Sequence, residues 1–469
     1  MKRTVIFSLL VMAGVGLNAQ SEITLPMFQN VFQSSYLIPT VKPEHTLSIG
    51  LPGLSSVYVQ TIHNGFVPKS VFKNDTLYVS ELVNELSDQN MLYTNADLDL
   101  FHLRIRVYNW NWWVGVRQRH SISLFYPKDL LKLSLQGNKP FVGSTMDFGG
   151  LGLNVNLYRE YTFGLSTELN NWSFGGRISL LQGFSCLYFK PNKLQVYIDD
   201  TDYNHTVSSD GTLYSAGIPS DIINSIIDGL APDWHPGEEN EEEPEVQFPD
   251  FNVEWITDYL TRFRNPGTSL SFGASYTYEQ RATISFSFSD VGFIYWSDST
   301  RNYRIKGQST FEGIDALGGF LTGNEISFDS TLNAFRNNFN DDDFEEPFIT
   351  WLPPKFYLTL DYKLARRTNI GFQFYSVINR KFYPAYSIGI TQGIGRSFSL
   401  ALSGSFNQKT MTNLGFGLMV KSGPVQTFIL ADNYYTPLVD PLTFTNFNIR
   451  FGMNLVFGRV KTPQGLPYR

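Results

Sequence analysis

Asn446-Phe-Asn-Ile-Arg-Phe-Gly-Met-Asn-Leu-Val-Phe457 is the stretch that decides the fold. Extended side chains alternate between two faces. Phe447, Ile449, Phe451, Met453, Leu455 and Phe457 therefore share one face, and Asn446, Asn448, Arg450, Gly452, Asn454 and Val456 share the other. A strand in a soluble protein usually runs about five or six residues. Alternation held over a dozen suits a strand that crosses a membrane at a tilt, with lipid on one side and a polar lumen on the other. Leu270, Phe272, Ala274, Tyr276 and Tyr278 repeat the pattern against Ser271, Gly273, Ser275 and Thr277. After Glu279-Gln280, Ile284, Phe286 and Phe288 alternate with Ser285, Ser287 and Ser289, which makes a hairpin. Phe101 to Val107, Phe356 to Lys363 and Phe398 to Leu402 follow suit. Segments with one apolar and one polar face, all at membrane depth, close into a barrel because an open edge has no partner in lipid.

Composition agrees. The 469 residues include 39 Phe, 25 Tyr and 8 Trp, while only 17% are charged. A disordered chain is poor in aromatics and rich in charge. A helical membrane protein carries apolar runs of about 18 residues or more, and none occurs here. A net charge of -7 and a pI near 5.5 disfavour nucleic acid as a partner. The expected fold is all-β: a closed antiparallel transmembrane barrel of about 14 strands, within a range of about 12 to 16, even-numbered. Strands begin near Thr46 and end near Gly458, with 193–217 and 301–313 expected as hairpins projecting beyond the membrane. Tyr108, Trp110, Trp112 and Trp113, and Tyr295 with Trp296, are expected at headgroup level.

The termini and insertions divide the chain further. Lys2 and Arg3 precede an apolar run from Val5 to Val15, followed by small Ala19. This is the pattern of a cleaved export signal, 1–19. It leaves 20–45 as an N-terminal segment, 46–458 as the barrel, and 459–469 as a tail. Cys186 is the only cysteine, so no intrachain disulfide forms. Short helices are expected over Tyr78 to Leu86 and Pro127 to Leu135, the second with Pro at its start. Insertions are expected at 219–263 and 314–354. The first carries helical apolar spacing on both sides of Glu238-Glu-Asn-Glu-Glu-Glu-Pro-Glu245, and has 12 acidic residues against Arg262 alone. The second holds Asp341, Asp342, Asp343, Glu345 and Glu346. Both acidic runs lack the spacing of a calcium loop and read as solvated loops. Without 1–19 and these runs the chain is net basic, so the acidity belongs to the insertions.

No catalytic chemistry is nominated. His45, His63, His102, His120, His205 and His235 have no metal-binding spacing, and no cofactor or metal is expected. Neither a G-x-S-x-G elbow nor a phosphate-binding glycine loop occurs, so an enzyme is not expected. Candidate lumen residues are Arg104, Arg106 and Arg450, on the polar faces of their strands, and Asp361. Cations in a lumen can tune selectivity toward anions. Structural pairing with lumen carboxylates such as Asp361 is the favoured reading.

The chain resembles a family of Bacteroidota outer-membrane barrels of unknown function. That family is distantly similar to long-chain fatty-acid transporter barrels and to accessory barrels of type IX secretion. The resemblance rests on Leu47-Ser-Ile-Gly-Leu-Pro-Gly-Leu-Ser-Ser-Val-Tyr58 and on Tyr126-Pro-Lys-Asp-Leu-Leu131 with Gly137-Asn138. It continues through Asp290-Val-Gly-Phe-Ile-Tyr-Trp296, Phe311-Glu-Gly-Ile-Asp315 and Leu352-Pro-Pro-Lys355. It closes on Ala431-Asp-Asn433 and the terminal strand from Arg450 to Gly458. Within these motifs Asp290, Gly292, Trp296, Asp432, Asn433 and Asn454 are the residues singled out. Related barrels carry an Asn-Pro-Ala turn where the N-terminus tucks into the lumen. Ile38-Pro39-Thr40 stands at that place, and Pro39 can fix the turn without the Asn side-chain bond. The resemblance thus implies a lumen plug over 20–45.

Two functions follow as expectations. One is an outer-membrane channel or transporter for a small hydrophobic ligand. The other is an accessory barrel that scaffolds an outer-membrane, secretion-type complex, with a protein partner at 219–263. Outer-membrane lipid is the partner common to both.

Overall fold

The computed structural model describes residues 22–73, 76–218, 264–311, 339–379, 381–406, 413–433 and 445–460. The expected signal 1–19, the insertion 219–263, positions 312–338 and the tail beyond 460 lie outside the described residues.

In chain order the strands are β1 (Leu47–Gly50), β2 (Ser56–His63), β3 (Gln89–Val107), β4 (Trp110–Pro127), β5 (Thr145–Asp147), β6 (Gly152–Leu169) and β7 (Trp172–Phe189). Then come β8 (Lys193–Ile198), β9 (His205–Ala216), β10 (Pro266–Tyr278), β11 (Ala282–Trp296), β12 (Thr300–Phe311), β13 (Phe339–Phe344) and β14 (Phe348–Trp351). The last are β15 (Lys355–Ala365), β16 (Thr368–Asn379), β17 (Lys381–Ile394), β18 (Phe398–Phe406), β19 (Asn413–Ser422), β20 (Val425–Ala431) and β21 (Asn446–Phe457). Fourteen strand positions form a ring in which every pairing is antiparallel. β1 and β2 share the first position, interrupted at 51–55, and both pair with β3 on one side and β21 on the other. That first-to-last pairing closes the barrel.

Burial alternates in the sense that a membrane barrel requires. On β21, Asn446, Asn448, Arg450 and Asn454 are buried, whereas Phe451 and Phe457 are exposed. On β3, His102 and Arg104 are buried while Ile105 and Val107 are exposed. Polar side chains line the inside and apolar ones face out, where lipid is the solvent. The hairpin expected at 270–289 is β10 with β11.

The two rims differ. At one, strands reverse within a few residues, as at Tyr108-Asn109 and Asn170-Asn171, with Tyr108 and Asn170 in the left-handed region at φ 53° and 56°. The other rim carries the long connections: α2 (Pro68–Val71), α3 (Val79–Glu85) and α4 (Lys128–Gln136). α3 and α4 match the two helices expected from the sequence. β8, β9, β12 and β13 extend the sheet from this same rim: β9 pairs with the end of β7, and β8, β12 and β13 follow outside the ring. These are the segments read as projecting hairpins.

Two expectations need correction. Asp341–Asp343 are not in a solvated loop: they lie in β13, in register with Tyr303 to Ile305 of β12, where a neighbouring strand supplies backbone partners. Trp113 and Trp296 are not at the lipid surface either. Adjacent strand residues must face opposite sides, so Trp112 and Tyr295 point out while Trp113 and Trp296 are buried inside.

Candidate functional site: the lumen and its N-terminal segment

The lumen holds three structures that the ring positions: an N-terminal segment, an ionic network and an apolar cluster. Residues 22–45 lie inside the ring, almost all of them buried. They form α1 (Thr24–Met27) and a 3-10 turn at Phe32–Tyr36. No residue of the segment belongs to a strand. Its attachment is through side chains and caps. Arg450 on β21 makes a bidentate pair with Glu22, its Nε and Nη2 lying 2.8 and 2.7 Å from the two carboxylate oxygens. The Asp432 carboxylate accepts the backbone N–H groups of Ile23 and Thr24, both at 2.7 Å, and so ties down the start of α1. Gln33 exchanges two hydrogen bonds with Asn454, each at 3.1 Å. Ser287 Oγ donates to the Leu37 carbonyl at 2.6 Å, and Thr40 bonds Ser275.

The wall makes room for the segment with glycine. A side chain at Gly389 would meet the Met27 sulfur, one at Gly175 the Pro39 backbone, and one at Gly415 the Thr24 hydroxyl. Near the short-turn rim Lys42 pairs with Glu168 (3.1 Å), and the His45 ring nitrogen accepts from Lys421 Nζ (2.7 Å). Burial, reinforced by Lys421, lowers the His45 pKa to about 4, so the imidazole is neutral and free to accept.

Above the turn at Tyr36 stands the ionic network. Arg117 and Arg119 of β4, Arg177 of β7 and Lys355 of β15 meet Asp97 of β3, Glu160 of β6 and Asp290 of β11. The closest pairs are Arg117 with Glu160 and Arg177 with Asp290, each at 2.6 Å. Charges this deep persist only when paired and hydrogen-bonded. Asp290 reaches the centre of the network because of a bulge. The β10–β11 register shifts between Leu270 and Phe272, and Asp290 sits in the left-handed region at φ 62°. A bulge reverses which side chains face in. Ser285, Ser287 and Ser289 face the lumen before it, and Ile294 and Trp296 after it. Gly292 lies so close to Thr268 O that no side chain fits there.

Those two residues begin the third structure. Ile294 and Trp296 join Tyr158, Leu181, Phe348 and Leu352 in a buried apolar cluster toward the long-connection rim. Trp296 Nε1 donates to Thr350 at 2.8 Å, which satisfies the one polar atom of its ring.

The residues singled out from sequence scatter over these structures. Arg450, Asp432 and Asn454 bind the N-terminal segment, and Asn433 donates to Asn446 O at 2.9 Å. Asp290, Gly292 and Trp296 build the bulge and the apolar cluster. Arg104 is buried, with Nη1 on Ser35 at 3.2 Å and its guanidinium over the Phe32 ring. Arg106 is not deep in the lumen: it pairs with Glu168 at 2.7 Å near the short-turn rim. The carboxylate facing Arg450 is Glu22, not Asp361. β15 and β21 are separated by the five strands β16 to β20, and Asp361 instead accepts from Gln29 at 3.0 Å. Sequence reading missed Arg117, Arg119, Glu160 and Arg177. The signal available was the period of two in Arg117-Gln-Arg119, which puts two cations on one face of a long strand.

Among solved structures, the chain is similar to the Ralstonia pickettii toluene transporter TbuX, at 8% identity over 95% of this chain and 96% of that one, with a TM-score of 0.42. It is also similar to a Pseudomonas aeruginosa FadL homologue, at 9% identity, 94% and 99% coverage and a TM-score of 0.39. The Pseudomonas putida toluene transporter TodX follows at 8% identity, 94% coverage of both chains and a TM-score of 0.38. No curated protein matches. A family model described as "Family of unknown function (DUF5723)" matches residues 39–432, which take in the bulge, the ionic network and most of the ring, and the chain belongs to that family.

Proposed function

We propose that this protein is an outer-membrane barrel that passes a small hydrophobic ligand when its N-terminal segment gives way. The observation that carries the reading is the apolar cluster around Trp296 and Phe348, buried inside the ring apart from the apolar cluster that the N-terminal segment shares with the wall. A water-filled pore has no use for such a lining, whereas an apolar solute gains about 25 cal/mol for each Å² it buries there. Residues 20–45 act as the plug. They hold to the wall by hydrogen bonds, the Glu22–Arg450 and Lys42–Glu168 ion pairs and an apolar cluster shared with Tyr357, Tyr375 and Met419, and none of these contacts closes the ring. Residues 1–19 serve export, and the short-turn rim faces the periplasm, as is usual for bacterial barrels. The candidate lumen and motif residues act here by seating the plug and shaping the apolar chamber, not as catalysts.

The test is uptake of a small apolar solute into proteoliposomes. The wild-type barrel should accelerate it over empty vesicles, and Gly389→Leu, which removes the seat of Met27, should accelerate it further. Equal rates for both proteins and for empty vesicles would end the channel reading.

A second reading, an accessory barrel in an outer-membrane complex, has its own observation. The sheet formed by β8, β9, β12 and β13 stands outside the ring and adds nothing to its closure. Deleting 219–263 should then release co-purifying protein while leaving the barrel folded.

A further inference from the structure

Tyr36 is held by the wall as a ligand is held. Its ring lies over the Arg117 guanidinium, 3.9 Å from the centroid. Its hydroxyl donates to Asp99 Oδ1 at 2.8 Å, and its carbonyl accepts from Arg177 Nη1 at 3.1 Å. Three chemistries thus converge on one residue: cation–π, a charge-assisted bond from a phenol, and a guanidinium on a carbonyl.

The wall groups do not depend on Tyr36 for their positions. Arg117 is fixed by Glu160 and Arg177 by Asp290, each at 2.6 Å, and Asp99 lies 3.6 Å from the His102 ring. Arg117 Nε, moreover, is buried with no hydrogen-bond partner among the described residues. The strands β3, β4 and β7 therefore carry a preorganised site whose present occupant is a side chain of the same chain. A preorganised polar site discriminates strongly for the group it was built to bond.

We infer that Arg117, Asp99 and Arg177 form a binding site for a para-hydroxyphenyl ligand bearing a carbonyl, and that Tyr36 occupies this site in cis. A free ligand of that class competes with Tyr36 and so favours withdrawal of the segment. This deepens the channel reading by naming the ligand class, and it rests on the segment being displaceable. Binding is read in detergent, so a barrel that transports nothing still tests it.

The probe is 4-hydroxyphenylacetamide, with phenylacetamide and toluene as controls, titrated calorimetrically into the Tyr36→Ala full chain. The phenol should bind about tenfold or more tighter than phenylacetamide, the size of one charge-assisted hydrogen bond, and toluene weaker still. Replacing Asp99 with Leu in the same background should cost about that factor of ten, since the backbone carbonyl of residue 36 still engages Arg177 there and the freed contact is the one to Asp99. No binding, or equal binding of the phenol and phenylacetamide, overturns the inference. Should Tyr36→Ala not yield a heat-modifiable barrel, the wild-type chain serves. There the phenol, and not phenylacetamide, should increase chymotryptic cleavage at Phe28 and Phe32, and unchanged cleavage overturns the inference equally.

Discussion

The two arcs of the lumen wall treat the same N-terminal segment in opposite ways. From β3 to β11 the wall is ionic: six charged side chains interlock, joined by Lys355 at the start of β15, and Arg177 and Asp99 reach from it to Tyr36. From β15 to β19 it is made of hydroxyls, glycine and apolar side chains: Tyr357, Tyr375 and Met419 share a buried cluster with Leu25, Phe28 and Val31, and Asp361, Thr391, Ser399 and Ser403 bond the segment. Thr359, Gln373, Ser387 and Ser405 follow one another in cross-strand register, beside a second row in which Gly371 and Gly389 face each other under Met27. The ionic arc holds the segment by charge, and the other arc holds it by apolar packing and hydroxyl hydrogen bonds. This arc leaves some polar groups unmet: both amide atoms of Gln373 and the hydroxyl of Ser387 are buried with no partner among the described residues. Leaving a buried polar group unmade costs about 1–3 kcal/mol. The segment is thus held by charge along one side and by packing along the other.

Breaking the grip should have the largest effect. Arg450→Met leaves Glu22 buried and unpaired, at a cost of about 3–5 kcal/mol. Chymotrypsin should then cut the segment at Phe28 and Phe32 in a barrel that remains heat-modifiable on gels. Arg177→Met tests the ionic arc itself. It strips Asp290 of its 2.6 Å partner and Tyr36 of its carbonyl donor, so a loss of about 2–4 kcal/mol is expected in denaturant titrations. Spoiling the fit comes next: Gly389→Leu must displace Met27 or its own backbone, an overpacking cost of about 1–3 kcal/mol, read as increased cleavage at Phe28. Gln373→Leu should act the other way. By removing two unsatisfied atoms at similar volume it should gain about 1 kcal/mol and slow cleavage, and a loss would show that the amide has a partner after all.

Acidification sharpens the comparison least but independently. The folded pKa of His45 lies at about 4, below its ordinary 6.5. Its contribution is therefore complete above pH 6.5 and is lost as the pH falls from there toward 4. Protonation would set a cation against Lys421, so segment protection should decline across that window. In His45→Gln the decline should flatten.

The ring was legible in the sequence because its signal is periodic and repeated. β21, β10 and β11 declare two faces residue by residue, and a face that is apolar in every strand has only lipid to meet. The segment's anchors were legible in part. Arg450 and Asn454 could be placed on the inner face by parity, but their partners Glu22 and Gln33 lie more than four hundred residues away and in no strand. Parity also failed at Asp290, since one left-handed residue reverses the faces and no rule of alternation announces it. The ionic arc was hidden because its members sit on six strands, and only the closure of the ring brings them together.

That the first strand position pairs with the last has a consequence for the order of assembly. Residues from Glu22 onward, made before any strand of the ring, end up enclosed by strands made last. Once β21 is sealed against β1 and β2, the segment can leave only along the barrel axis, through one rim or the other. Anything joined ahead of Glu22 starts its path from inside the ring, and a bulky fusion there should stall closure where the same fusion after Val460 would not.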